Sequence, residues 1–391
     1  MRVVVVAEYY PRARDPVLGV WAHRQALAAR QAGADVRVLV LHRPLPSLAA
    51  VRSRDRAAIA APLRQPAAAT LDGIPVRYVR YLSPPRPLAY GSWGAWAAPQ
   101  LRLALRRLRR SFAFDLVHAH YAVPAGDAVC RARAGVPVVV SVHGGDVLAT
   151  VRRGGRAQAA VERTLAAARL VLANSRDIAR RCREHGAGDV RVVHLGADLP
   201  PNPRRPGRSP GPTLVSVGHL VARKRHADVV RALWSLRDRH PDLRYVVVGD
   251  GPEREPLRAL ARELGLGDRV QLRGQLPPEA AAAEARSASV FALPSVDEAF
   301  GVAYVEAMAG GVPAIGCRGE PGPEEIAAAG GGIVLVAPGD VEGLAGAIDA
   351  LIADPQRARE LGERARATVE REFTWERCGE ATVAAYRAAL E

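Results

Sequence analysis

The chain has 391 residues, 49% of them hydrophobic and 24% charged, with 55 basic against 40 acidic side chains and a formal net charge of +15. That length exceeds what one hydrophobic core usually holds and predicts two domains of roughly 150–200 residues. The composition is globular and excludes a disordered chain, and no stretch approaches the ~18 apolar residues of a membrane span.

The basic excess does not by itself point to nucleic acid. Of the 55 basic residues 54 are Arg and one, Lys224, is Lys, while Asn occurs twice, which is the mark of a coding bias toward Arg. The four cysteines, Cys130, Cys182, Cys317 and Cys378, lack the C-x2-C spacing of a zinc or redox site and are expected to be free thiols. The apolar run after Arg2 is too short for a signal peptide, so a cytoplasmic enzyme beginning on a core strand is expected.

Arg2 to Ala7 reads as a strand, a helix follows Gly19 and runs to Ala32-Gly33, and Val36 to Leu41 is the next strand, a βαβ opening. Gly19 stands at the helix start, where a phosphate is readily held. His23 could face a ligand, although a helical His more commonly caps or faces solvent. Residues 44–99 read as irregular, with a strand at Val76 to Tyr81. Tyr90, Trp93 and Trp96 either line an acceptor pocket or anchor a long loop, the commoner use of such a group. Leu101 to Arg110, LRLALRRLRR, is a basic amphipathic helix of the kind that lies on an anionic membrane, or that simply presents a solvated face.

Asp115 to His120 is predicted as a strand. Val136 to Val142 is another, and it delivers His143-Gly-Gly-Asp146 at its C-terminal end, where open parallel sheets bind ligands. His143 is thereby a candidate site residue, with His118 and Asp146 behind it. Strands at Leu170 to Ala173 and Val190 to Leu195 precede Leu199 to Pro212, a linker with six prolines in fourteen residues. A second βαβ series then begins: Thr213 to Val217, Tyr245 to Val248, Val270 to Gly274, Val290 to Leu293 and Val312 to Gly316. The fold class is therefore α/β, two Rossmann-like doubly wound parallel-sheet domains facing across a cleft. The domains expected are 1–198, a linker 199–212, 213–373, and a closing helix 374–391.

Two stretches of the second half carry chemistry. Thr213 to Val217 leads into Gly218-His219-Leu-Val-Ala-Arg223-Lys224. In an Arg-biased chain a single surviving Lys marks a site that needs a compact ammonium, unless it is a chance survivor on a solvated helix start. Phe291 to Gly316, FALPSVDEAFGVAYVEAMAGGVPAIG, reads as strand, loop and helix. Glu298 stands in the loop and Glu306 in the helix. The first helical N–H groups, near Gly301, Val302 and Ala303, lack intrahelical acceptors and favour an anion. Anion-binding amides flanked by two hydroxyl-binding carboxylates suit a sugar joined to a phosphate. The plainer alternative is a Glu complementing the helix dipole and a Gly-Gly pair as punctuation.

The whole string closely resembles the E-x7-E segment of the family-4 retaining glycosyltransferases, and the resemblance is strongest over residues 213–340. It implies the glycosyltransferase B fold, with Glu298 on the donor sugar, Glu306 on the nucleotide ribose, and Phe300, Gly301 and Val302 among the donor-binding residues. The family's G-R-L-x-x-x-K string is matched at Gly218 and Lys224, with Arg223 beside them. His219 replaces the arginine, one neutral hydrogen bond in place of a charged fork, and Arg223 or Arg225 would have to compensate. Gly274 and Gln275 would lie by the base. Gly19 matches the second of two family glycines that touch the diphosphate, Leu18 departing from the first. His143 would stand near the transferring sugar. The segments DEAFGVAYVEAM and GEPGPEEI look most like bacterial cell-surface polysaccharide transferases of the teichuronic-acid type, and the closing helix resembles one that returns to the first domain.

The function so implied is retaining, metal-independent transfer from a nucleotide-diphosphate sugar to an acceptor hydroxyl, with His143, Glu298 and Lys224 as catalytic residues and no cofactor. The acceptor is a polyprenyl-linked saccharide or a small molecule, with peripheral membrane association through residues 101–110 and no nucleic-acid partner. A nucleotide-sugar epimerase, a lysine-bound pyridoxal phosphate phosphorylase and a non-catalytic sugar-binding subunit are rivals on the same fold. Glycoside hydrolysis is disfavoured, since two helical carboxylates eight residues apart lie about 12 Å apart and that chemistry needs about 5–9.5 Å. No G-x4-G-K-[ST] loop or dinucleotide glycine pattern supports ATP or NAD chemistry.

Overall fold

The computed structural model describes residues 1–46, 48–85, 90–201 and 211–391. It divides into unit 1, Met1–His194 with Trp375–Glu391, and unit 2, Leu195–Thr374. Residues 202–210 of the proline-rich stretch lie outside the described residues.

Unit 1 is an eight-stranded sheet: β1 (Arg2–Ala7), β2 (Asp35–His42), β3 (Ala68–Leu71), β4 (Ile74–Arg80), β5 (Leu116–His120), β6 (Val138–Val142), β7 (Leu170–Ala173) and β8 (Val190–Val192). Their order is β3-β4-β2-β1-β5-β6-β7-β8. All neighbours are parallel except the β3–β4 hairpin. Val3 to Val6 are fully buried, as an all-valine central strand covered on both faces must be.

Residues 44–99 are more regular than the sequence reading allowed. They contain short helices at Leu48–Arg52 and Arg56–Ala60 and the hairpin β3–β4, with the start of a long helix at Trp93. The hairpin turn is Asp72-Gly73, both at positive φ (47° and 75°), the geometry that an Asp-Gly pair between strands favours. The long helix, Trp93–Arg109, contains the basic stretch. Its apolar side turns inward, Leu101 and Leu105 being buried, while Arg102, Arg106, Arg107 and Arg109 face out. The apolar face that would enter a lipid layer is thus mostly occupied by the core. Among the described residues no helix is long and apolar enough to cross a membrane.

Unit 2 is a six-stranded parallel sheet: β9 (Thr213–Val217), β10 (Arg244–Val248), β11 (Val270–Gly274), β12 (Val290–Ala292), β13 (Ala314–Cys317) and β14 (Ile333–Val336). The order is β11-β10-β9-β12-β13-β14, the doubly wound pattern in which the strand order reverses between β9 and β12 while the strands stay parallel. Ligands bind at the C-terminal strand ends beside that reversal. The corresponding point in unit 1 lies between β1 and β5.

The closing helix, Trp375–Leu390, packs in unit 1 against the helix Val20–Gln31. Gln25 Nε2 donates to Thr382 Oγ1 at 3.1 Å, and a Cβ on Gly379 would lie 2.3 Å from the Ala28 carbonyl oxygen. Glycine inside a helix normally destabilises by about 0.5–1 kcal/mol relative to Ala. Here close approach of the two helices reverses the sign. Gly379→Ala is expected to destabilise the protein by about 1–3 kcal/mol in urea denaturation; a stabilised variant would show that the helices do not pack this tightly.

Candidate functional site

The site in unit 2 is assembled where β9 and β12 end. After β9 the chain makes a short 3-10 turn, Ala222–Lys224, and enters the helix His226–Ser235. After β12 comes the loop holding Ser295 and Glu298. The loops are tied to each other by the Val296 N–H donating to the Arg223 carbonyl at 2.8 Å. Lys224 is 9% exposed and Glu298 is 7% exposed, and the Lys224 ammonium donates directly to Glu298 Oε2. Ser295 Oγ donates to the same oxygen at 2.8 Å and lies 3.2 Å from the Tyr304 hydroxyl. Tyr304 in turn donates to the Leu293 carbonyl.

Burial pushes the Glu298 carboxyl up, but the Lys224 ammonium and the Arg223 guanidinium outweigh it and hold the group below its ordinary range. The Glu298 N–H donates to Glu320 Oε2 at 2.9 Å. Burial, with the charges of Asp297 and Glu298, raises Glu320. Gly301, at φ 88°, precedes the helix Val302–Ala309, and Glu306 lies half-buried in the helix's second turn.

The structure separates the sequence candidates. Gly218 joins the row of strand ends through its N–H to the Val248 carbonyl (3.0 Å), and Gly249 continues it by donating to the Gly274 carbonyl (2.9 Å). Gln275 is exposed beyond that row. His219 is exposed. Of the two arginines that could stand in for its missing fork, Arg225 is committed to Asp228 (2.6 Å), whereas Arg223 acts on Glu298. The Phe300 side chain is 1% exposed and packs on Phe373 with ring centroids 5.5 Å apart, so it is a core residue and only its backbone is available to a ligand. Lys224 is buried, which excludes the chance survivor on a solvated helix start.

In unit 1, Gly19 sits at φ 65° before the helix Val20–Gln31, and a Cβ there would lie 2.1 Å from the Tyr9 carbonyl carbon. Tyr9 packs on Tyr121 (centroids 5.1 Å) and Tyr121 on His143 (5.2 Å), which gathers Gly19 and His143 around the same strand ends. His143 Nε2 meets His120 Nδ1 at 3.0 Å. His118 lies between the Tyr386 hydroxyl (2.7 Å) and Ser141 Oγ (2.8 Å). Burial lowers His118 and His143 to about 3, so both are neutral. His143 Nδ1 is buried without a partner among the described residues. Asp146 is 1% exposed, accepts from the Val123 N–H at 3.3 Å, and is pushed up to about 7 by burial.

His23 does not face a ligand: it joins the Tyr10 hydroxyl (2.7 Å) to Asp72 of the hairpin turn (2.7 Å). Trp93 is 1% exposed and donates to the Tyr81 hydroxyl, so it anchors its segment, while Trp96 remains 49% exposed. Ser295, Tyr304, Glu320, His120 and Tyr121 were not among the site residues expected from sequence. Only His120 carried a signal, because residues two apart on a strand share a face and His118 was already a candidate. Among the described residues no cluster of three or more His, Cys, Asp or Glu could hold a metal ion.

The model of the family described as glycosyl transferases group 1 matches residues 202–368, and that of glycosyltransferase family 4 matches residues 18–200. A D-inositol 3-phosphate glycosyltransferase of Nocardia farcinica is 32% identical over 309 residues, 71% of this chain and 67% of that one. The chain spans less than half of two other curated relatives. One is an exopolysaccharide phosphotransferase of Streptomyces coelicolor, 35% identical over 54% of this chain and 22% of that one. The other is a GDP-mannose-dependent phosphatidylinositol monomannoside mannosyltransferase of Mycolicibacterium smegmatis, 36% identical over 41% of this chain and 44% of that one. The Anabaena protein HepE in complex with UDP-glucose has the same fold, with a TM-score of 0.73 at 18% identity over 100% of both chains.

Two buried acids give opposite pH signatures. Glu298, held below its ordinary range, contributes stability above the unfolded carboxylate pKa that is lost as pH falls through its folded value. Asp146, raised to about 7, contributes stability below the unfolded pKa that is lost as pH rises through 7. Asp146→Asn is therefore expected to be more stable than the parent at pH 8 and to lose that advantage by pH 4, read as urea midpoints. Glu298→Gln is expected to be the less stable at pH 7, with the gap narrowing as pH falls below about 4. Equal loss of stability in Asp146→Asn at pH 5 and pH 8 would contradict the assignment for Asp146.

Proposed function

The chain belongs to the glycosyl transferases of family 4 and group 1, and on that premise we propose that it moves a sugar from a nucleoside-diphosphate sugar to an acceptor hydroxyl, with retention and without a metal ion or other cofactor. The observation that carries this reading is the buried contact of Lys224 with Glu298 at the strand reversal of unit 2. A buried ion pair is weak support for a fold, because desolvation offsets its attraction. A pair kept at a ligand-binding strand edge, beside a helix N-terminus, is better understood as prepared for substrate.

In this reading Glu298 accepts hydrogen bonds from hydroxyls of the donor sugar. An ammonium has three N–H groups, so Lys224 donates one to Glu298 and turns others to the diphosphate, where negative charge grows as the glycosidic bond breaks. The N–H groups of Gly301 and Val302 complement the same charge, Phe300 takes part through its backbone, and Arg223 supplies the positive charge that His219 does not. Gly218 lets the turn approach the phosphates, Glu306 holds the ribose, and Gly274 and Gln275 border the base. In unit 1, Gly19 is assigned to a phosphate and His143, its ring oriented by His120, to a sugar. The departing phosphate takes the proton of the acceptor hydroxyl, so no further base is required. The UDP-glucose complex of HepE supports a nucleoside-diphosphate sugar as donor. The inositol phosphate and phosphatidylinositol named for two relatives support a phosphate-bearing acceptor. Contact with an anionic membrane would be electrostatic, through Arg102, Arg106, Arg107 and Arg109, the helix's apolar side being mostly buried.

A charge-assisted hydrogen bond is worth roughly 1.5–3 kcal/mol, or about 10- to 150-fold in rate. Lys224→Ala is expected to lower kcat by at least that range while donor KM changes less, and Lys224→Arg to fold yet lose most activity, since the buried space fits an ammonium. Glu306→Ala should weaken nucleotide and nucleotide sugar alike in calorimetry, whereas Glu298→Gln should chiefly weaken the sugar-bearing ligand. Activity should survive chelation by EDTA, and the product anomer read by NMR should match that of the donor. Full activity in Lys224→Arg would refute the role given to Lys224.

A further inference from the structure

β12 pairs in parallel with β13, so the loops that follow the two strands are neighbours. The loop after β13 ends at Glu320, the N-cap position of the helix Pro321–Ala329. A side chain at such a position commonly accepts from the first N–H groups of its own helix. Glu320 makes no such bond. Its Oε2 accepts from the Glu298 N–H at 2.9 Å instead, and although burial opposes the charge of its carboxylate, the Glu298 and Asp297 N–H groups favour it. The Gly322 N–H, one of the orphan donors of the helix start, goes to the Glu298 carbonyl at 3.0 Å. A Cβ on Gly322 would overlap the Phe300 carbonyl, so the two segments come this close only with glycine there. The backbone of Glu298 is therefore held at both its N–H and its carbonyl by one turn of chain.

Asp297, just before it, stands at φ 52°, in the left-handed region that L-residues enter only at a cost. Strain of this kind persists where the surroundings impose it, and it gathers at ligand sites. The Asp297 N–H bears on the Glu320 carboxylate, and the Asp297 carbonyl accepts from Arg223 Nη1 at 3.4 Å. Successive N–H groups that converge on one acceptor form an anion-binding concavity. Here the chain fills that concavity with its own carboxylate, while the carboxylate of Glu298 meets Lys224 and Ser295.

We propose that Glu320 is a positioning residue: its carboxylate holds Asp297 in the left-handed turn and thereby fixes where Glu298 meets the donor sugar. The inference rests on the glycosyl-transfer reading above and adds to it a residue that acts only through Glu298.

Two measurements on the full chain test this. Calorimetry with UDP, UDP-glucose, GDP and GDP-mannose reads what the sugar adds to nucleotide affinity, and amide hydrogen exchange over residues 294–301 in the ligand-free protein reads the loop itself. Glu320→Ala is expected to weaken the nucleotide sugar at least about tenfold, to leave the bare nucleotide within about threefold, and to speed exchange of the segment at least about tenfold. Glu320→Gln keeps one acceptor oxygen and should recover most of both. At position 297 shape rather than charge should decide. Asp297→Asn tolerates the left-handed region and should stay within about twofold of the parent, whereas Asp297→Val does not and should reproduce the loss. Unchanged exchange in Glu320→Ala, equal loss for nucleotide and nucleotide sugar, or an Asp297→Val variant indistinguishable from Asp297→Asn overturns the proposal. A parent chain that binds none of the four ligands defeats the donor reading instead, and the exchange pattern then decides by itself whether Glu320 holds the loop.

Discussion

The contact of Lys224 with Glu298 is the constraint around which unit 2 is arranged. Its partners are 74 residues apart in sequence, yet they follow adjacent strands, because the sheet order runs outward in both directions from β9 and β12. Loops leaving two such strands diverge, and a gap opens between them. Here the gap is bridged by one ion pair and one backbone hydrogen bond, from Val296 to Arg223. Ser295 and Tyr304 then complete the shell of the carboxylate. Removing one member would leave a charge buried without its counter-ion, a loss of about 3–5 kcal/mol. The arrangement is therefore poor as a stabiliser and well suited to holding two opposite charges ready for a ligand that carries both hydroxyls and phosphate.

The same logic explains why neutral groups dominate the corresponding edge of unit 1. His118, His120 and His143 are packed together with a hydroxyl at each nitrogen of His118, and burial keeps His118 and His143 unprotonated. Three imidazolium ions could not share that volume. Tyr386, which reaches His118, comes from the closing helix, so the chain's last element supports the first unit's strand ends and belongs to that unit's core. Gly379 makes this possible by letting the helix approach the Ala28 carbonyl.

Charge is handled differently again beyond the C-terminal ends of β1 and β2. There Arg12 donates to the Glu8 carbonyl at 3.1 Å and Arg43 to the Ser83 carbonyl at 3.2 Å, while buried His42 meets the Pro62 carbonyl through Nε2. The helix behind, Trp93–Arg109, shows the opposite use of arginine, with its guanidinium groups outward and its leucines mostly inward. A basic amphipathic stretch thus says which side of a helix is wet without saying what the dry side touches.

The sequence by itself determined the features that depend on local pattern. Valine-rich runs of strand length gave two parallel-sheet α/β units, since a strand covered on both faces must be apolar throughout. The E-x7-E string with its helix start, and the single lysine in an arginine-rich chain, drew attention to the two loops that meet after β9 and β12. What sequence left open was settled by contacts between distant residues. Nothing near Lys224 shows that Glu298 is its partner, nothing near Phe300 shows that its ring packs on Phe373, and His23 and His143 look alike until one is found between Tyr10 and Asp72 and the other against His120. The segment 44–99 was misjudged because its helices are too short to show a period, although its Asp-Gly turn was readable. Periodicity reports which face of an element is buried; which side chain it meets there depends on strand order, and strand order is fixed only when the whole sheet closes on its core.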